Sequence, residues 1–165
     1  MALVSATLES GLAGVFAAKL PAVAQVAQQM ASVYTSYASA GMVGTGTVVI
    51  TPANTLAMRN AFLAVLSLPA GTPASFANAW SVGLLAFWMS PPVAVVGAQS
   101  GIVTVPPAAA VVIAPITAAV LNLASTPQIT AKLIATAAHL AVFGIVQGLV
   151  TNLVPVPPMI VLPLL

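Results

Sequence analysis

TPASFANAWSVGLLAFWMSPP, residues 72–92, carries a start signal, a face and a stop. The Thr72 hydroxyl can accept from the free N–H groups of a first helical turn. Pro73 suits the opening position, where a missing N–H costs nothing. Phe76, Trp80, Leu84, Phe87 and Trp88 recur at steps of three and four, which places them on one helix face. Pro91-Pro92 then ends the helix, because proline removes a donor and clashes with the preceding turn. A stripe of this kind belongs to a core more often than to a ligand box.

The same pattern recurs on both sides. VLSLPAGTPASF, residues 65–76, matches VLNLASTPQIT, residues 120–130: an apolar helix ending, a break, then Thr-Pro opening a new helix. In STPQITAKLIATAAHLAVFG, Thr126 and Pro127 repeat the start. Ile129, Leu133, Ala137, Leu140 and Phe143 are the expected buried stripe, with Gly144 as the exit. Upstream, PAVAQVAQQMASVYTSYASAG predicts a helix after Pro21, leaving at Gly41. Its inner face is Val23, Val26, Met30, Val33, Tyr34 and Tyr37. Gln25, Gln28, Gln29, Ser32 and Ser36 form a polar side without any charge. An apolar helix over roughly 3–19 precedes it. Short β-branched runs after glycine, at 46–51, 101–105 and 148–154, read as strands or extended connectors.

Internal matches organise these elements. Gly46, Val48, Pro52, Ala53, Ala64, Val65, Leu66 and Leu68 reappear 55 residues on as Gly101, Val103, Pro107, Ala108, Ala119, Val120, Leu121 and Leu123. The expected architecture is therefore mainly α: tandem helix-pair units linked by short β or extended segments. A single domain over 1–154 would hold two or three helix–helix–strand units, at about 1–45, 46–100 and 101–154. VPVPPMIVLPLL ends the sequence with a different grammar. Its prolines exclude helix, so 155–165 reads as an extended arm. Met159, Ile160, Val161, Leu162, Leu164 and Leu165 are its candidate docking side chains, each large aliphatic contributing about 1.5–3 kcal/mol if fully buried.

Composition decides which chemistries are open. Of 165 residues, 61% are hydrophobic and 2% charged, against about 25% charged in an ordinary soluble domain. The charges are Glu9, Lys19, Arg59 and Lys132. Three scattered cations cannot track a phosphate backbone, so no nucleic-acid partner is expected. One Glu, one His, no Asp and no Cys leave almost no acid–base machinery, and no catalytic residue is assigned. His139 reads as a helix-flank histidine bonded to backbone or water. A metal needs three or four converging ligands, which are missing, so no metal or cofactor is expected. MVGTGTVV, residues 42–49, lacks both the lysine and the strand–loop–helix order of a phosphate loop. It reads as a turn.

So uncharged a chain must either expose Ala, Ser, Thr, Gln and Asn or hide its surface against lipid or other polypeptides. The windows 79–99 and 107–125 are the candidate membrane spans, and mean hydropathy is +1.15. A span needs about 20 apolar residues in one helix, whereas prolines break the expected helices sooner. Lys/Arg clusters and aromatic belts at the flanks are also missing. Permanent subunit interfaces are apolar and poor in charge, which fits this composition better. An integral membrane or pore-forming protein is the alternative.

MALVSATLESGL at the start, the Ala/Gln helix ending in Tyr34 and Tyr37, AFWMSPP and AAAVVIAPITAAV together resemble small virion structural proteins of tailed bacteriophages. The resemblance implies a non-enzymatic role in a virion, tail or capsid, or in a phage-tail-like particle. Its partners would be other structural proteins and copies of the chain itself.

Overall fold

The computed structural model describes residues 5–43, 46–69, 71–97, 101–103, 106–122, 126–152 and 154–155; for 42–43, 143–152 and 154–155 it describes the backbone only. The protein is mainly helical. Its elements are α1 (Ser5–Ala17), α2 (Val23–Ser39), β1 (Met42–Val43), β2 (Gly46–Val49), α3 (Pro52–Leu66), α4 (Pro73–Met89), β3 (Ala94–Val96), β4 (Gly101–Ile102), a 3-10 turn (Ala109–Val112), α5 (Ile113–Leu121), α6 (Pro127–Asn152) and β5 (Val154–Pro155).

Each helix packs on the next in sequence, and α6 returns to pack on α1, so the six close into a ring. The strands form one antiparallel sheet in chain order, β1-β2-β3-β4-β5. Pairs of helices are inserted between β2 and β3 and between β4 and β5. Pro155 lies in an edge strand, the place in a sheet where a missing N–H does least harm. The first residue of the expected arm thus belongs to the sheet.

Local signals explain the helix boundaries. Thr72 and Ser75 satisfy each other's orphan donors: Ser75 N–H donates to Thr72 Oγ1 at 3.1 Å, and Thr72 N–H donates to Ser75 Oγ at 2.8 Å. At α6, Ile129 N–H donates to Thr126 Oγ1 at 3.3 Å. Helix α4 stops at Met89, before the paired prolines. Helix α2 begins at Val23 after its N-cap Ala22, so Pro21 lies two residues before it rather than in its first turn. Lys19, just beyond α1, takes a left-handed φ of 46° that leads the chain into the turn.

Four expectations fail on α6. Gly144 does not end the helix, and 148–152 are helical rather than extended. A glycine costs a helix only about 1 kcal/mol relative to alanine, and no proline intervenes before Pro155. At 26 residues, α6 is also much longer than the proline spacing elsewhere suggests. The expected stripe is reversed as well: Ile129, Leu133 and Leu140 are exposed, and only Ala137 of the described members is buried. The inner face is Ala131, Ile134, Ala135, Ala138, Ala141 and Val142. This alanine-rich face is the one that packs against α1 and α5. Phe143 has no described side chain.

The core is aromatic where α2, α3 and α4 meet. Tyr34, Tyr37, Phe62, Trp80, Phe87 and Trp88 are fully or almost fully buried. Tyr34 meets Phe87 edge-on at 4.8 Å between ring centres, and Phe62 meets Trp80 at 5.2 Å. These T-shaped pairs add about 0.5–1.5 kcal/mol each beyond their area. Trp88 Nε1–H donates to Tyr34 Oη at 2.9 Å, which satisfies a polar handle that burial would otherwise orphan.

Two glycines should respond oppositely to alanine. A Cβ on Gly83 meets Met58 and Phe62 at 3.5 Å, an ordinary contact. Gly83→Ala is expected to stabilise the protein by about 0.5–1 kcal/mol through reduced chain entropy. A Cβ on Gly11 would overlap Val33 Cγ1, and valine is stiff in a helix. Gly11→Ala should cost about 1–3 kcal/mol. Urea midpoints moving in opposite directions are the measurement.

Candidate functional site

The six candidate docking residues Met159, Ile160, Val161, Leu162, Leu164 and Leu165 lie outside the described residues. The chain leading to them ends its described course in β5, where Val154 pairs with Ile102 and Pro155 with Gly101.

What the reversed α6 presents outward is an aliphatic face. Ile129, Leu133 and Leu140 are 50%, 43% and 60% exposed, and Val111 beside them is 55% exposed. Positions 129, 133, 136, 137 and 140 share one side of the helix, at steps of three and four. Leu133, Thr136, Ala137 and Leu140 form one wall of a groove of 230 Å³; Val111 and Pro115 form the other. Scattered exposed leucines are normal on a protein surface; Leu133 and Leu140 instead lie together along one groove. Lys132 is the only charge on this stretch of α6. Sequence reading found these side chains and gave them the wrong side.

A second concavity, of 530 Å³, opens where the ends of five helices converge. Phe16 of α1, Leu66 of α3, Phe76 of α4 and Val120 of α5 supply its apolar wall. Thr72 and Thr130, from the two Thr-Pro helix starts, stand at its rim. Phe16 and Phe76 lie 6.5 Å apart between ring centres. The size suits a small ligand or an inserted side chain.

His139 has a side-chain partner that was not expected. Tyr37 Oη lies 2.8 Å from its Nδ1. Burial pushes the Tyr37 hydroxyl well above the usual phenol range and pushes the His139 imidazole down. Tyr37 therefore stays protonated, and it shares with the neutral ring one hydrogen bond whose donor is set by the imidazole tautomer. Tyr34 is pushed up too, first by burial and then by its neighbour Tyr37. The arrangement seats polar atoms inside an aromatic core, and it holds no activated nucleophile.

This gives a pH prediction with a definite sign. A histidine whose folded pKa is depressed binds fewer protons folded than unfolded, so stability rises with pH across the window. The contribution is fully present above about pH 6.5, the unfolded value, and is lost as pH falls toward the lower folded value. No other side chain in this sequence ordinarily titrates there. Melting temperature should be level from pH 8 to 7 and then decline toward pH 5, as read by circular dichroism. In His139→Gln that decline should be absent.

Among the described residues no three metal-ligating side chains converge, and no helix is long and apolar enough to cross a membrane. The candidate spans do not form single helices: 79–99 runs from α4 into β3, and 107–125 is divided between the 3-10 turn and α5. No protein-family model, curated protein or solved structure matches the chain.

Proposed function

We propose that this protein is a non-enzymatic structural subunit of a large protein assembly, a virion or tail component of a tailed bacteriophage or a phage-tail-like particle. The observation that carries the reading is the exposed aliphatic row Ile129, Leu133 and Leu140 with its groove against Val111 and Pro115. A chain with four charges in 165 residues has little else to keep copies apart in water. Covering that row with a neighbouring subunit removes apolar area from water without stranding any ion. The residues 156–165 supply a second apolar element for the same purpose. The resemblance in sequence pattern to small tailed-phage virion proteins points to the kind of particle.

The test uses the full chain, purified without detergent and weighed by analytical ultracentrifugation. Assembly into a defined oligomer, or with other structural proteins, is the expected result. A lone monomer at all concentrations overturns the reading, and so does recovery only in detergent or lipid, which would favour the membrane alternative. Truncation after Pro155 leaves β5 intact and should weaken assembly; if assembly is unchanged, the arm has no docking role.

A further inference from the structure

Arg59 lies in the second turn of α3 and faces the uncharged polar side of α2. It is half-buried, and its Nε is buried with no hydrogen-bond acceptor. No described carboxylate pairs with it. A guanidinium carries five donors, accepts nothing and does not lose its proton. An N–H held from water without an acceptor is an unmet demand for an acceptor, and on a guanidinium an anionic one also meets the charge.

The surroundings make a site of it. Two clefts, of 580 Å³ and 360 Å³, meet at Arg59 and Gln28. Beyond Arg59 the smaller cleft is lined by Gln25 and Gln29, neutral amides that leave the positive potential uncancelled. The larger carries Thr51 and Thr55 hydroxyls, with Ile50, Pro52 and Leu56 as an apolar wall. Thr55 Oγ1 is fixed against Thr35 Oγ1 at 2.8 Å, which ties the two helices together across the cleft floor. The larger cleft also reaches the first turn of α3, whose dipole has the same sign.

We propose that this cleft binds a small aliphatic carboxylate. The oxyanion pairs with the Arg59 guanidinium, and the hydrocarbon lies along Ile50, Pro52 and Leu56. Turning the guanidinium into the cleft gives Nε–H its acceptor and permits a two-point, charge-assisted pairing. A bare phosphate would satisfy the charge but leave the apolar wall wet.

Sodium butyrate is the probe, with the full chain and with ionic strength held constant by sodium chloride. Saturation-transfer difference NMR on butyrate reads binding whatever the size of the assembly. A saturable signal is expected, lost in Arg59→Gln and weakened about tenfold in Arg59→Lys, which keeps the charge without the planar fork. Leu56→Asp, at a position 51% exposed, should also weaken binding while the thermal melt stays unchanged. No saturable signal, equal binding by Arg59→Gln, or displacement of butyrate by an equal concentration of inorganic phosphate would each overturn the proposal.

Discussion

Replacing Leu133 and Leu140 together by glutamate should dismantle the assembly and leave the subunit folded. Both side chains are substantially exposed in the isolated fold, so their loss removes no core contact. Monomer stability should change by less than about 1 kcal/mol. In an assembly the same two positions would sit at a dry centre. Each truncation there typically costs about 2 kcal/mol or more, and an unpaired carboxylate adds a desolvation penalty. The dissociation constant should therefore rise at least about a thousandfold, since every 1.4 kcal/mol is a factor of about ten. Ser36→Glu, which adds a charge on the exposed polar side of α2, is the control and should leave assembly intact. Sedimentation velocity reads the mass and circular dichroism the fold. Equal masses for the double variant and the parent would remove α6 from the interface.

Loss of Asn54 is the largest expected blow to the fold itself. Asn54 is completely buried, and its amide serves two helix ends at once. Oδ1 accepts from Thr51 N–H at 3.0 Å and from Thr51 Oγ1–H at 2.6 Å, closing the start of α3. Nδ2 donates to the carbonyl of Phe87 at 2.9 Å, in the last turn of α4, and to that of Pro91 at 2.7 Å. Helix ends leave such groups without intrahelical partners, and here one side chain meets both needs. Asn54→Ala strands donors on one side and acceptors on the other. At about 1–3 kcal/mol for each buried orphan, the total should reach about 3–5 kcal/mol. That is a large fraction of a typical domain's stability. Asn54→Asp keeps the acceptor for Thr51 but aims a carboxylate at two carbonyls. Its folded pKa should be raised, so the folded state binds the extra proton and the variant recovers stability as pH falls toward 4. Urea unfolding at pH 7 and pH 5 measures both effects. A cost below 1 kcal/mol for Asn54→Ala would mean that water replaces the amide.

Asn54 also shows where sequence reading runs out. Nothing in TPANTLAM announces that its fourth residue reaches the far end of a different helix. Thr51-Pro52 gives the start of α3, but the partners Phe87 and Pro91 lie more than thirty positions away. Arg59 is similar: the sequence marks it as one of four charges, while the cleft beside it needs the polar side of α2 brought across. The pairing of Tyr37 with His139 spans 102 positions and left no local trace. For β3, VAVV after the paired prolines carried a signal in its β-branched residues. It was legible only once β2 and β4 stood on either side.

The boundaries of α4, the first turn of α6, the burial of Met30, Tyr34 and Tyr37 on α2 and the mainly helical class were determined by the sequence alone. These depend on hydrogen bonds and side-chain spacings within a few residues, and chain order contains that information directly. Val23 of the expected inner face of α2 is exposed, however, and Ala27, Ala31 and Ala38 are buried in addition. Which side of α6 turns inward was decided only by the tertiary structure. Leu133 is more hydrophobic than Ala135, and by transfer energy alone it belongs inside. Closing six helices into a ring packs α6 on α1 and α5 through a face made of Ala131, Ile134, Ala135, Ala138, Ala141 and Val142. Tertiary packing overrides side-chain hydrophobicity there, and Leu133 and Leu140 are left exposed.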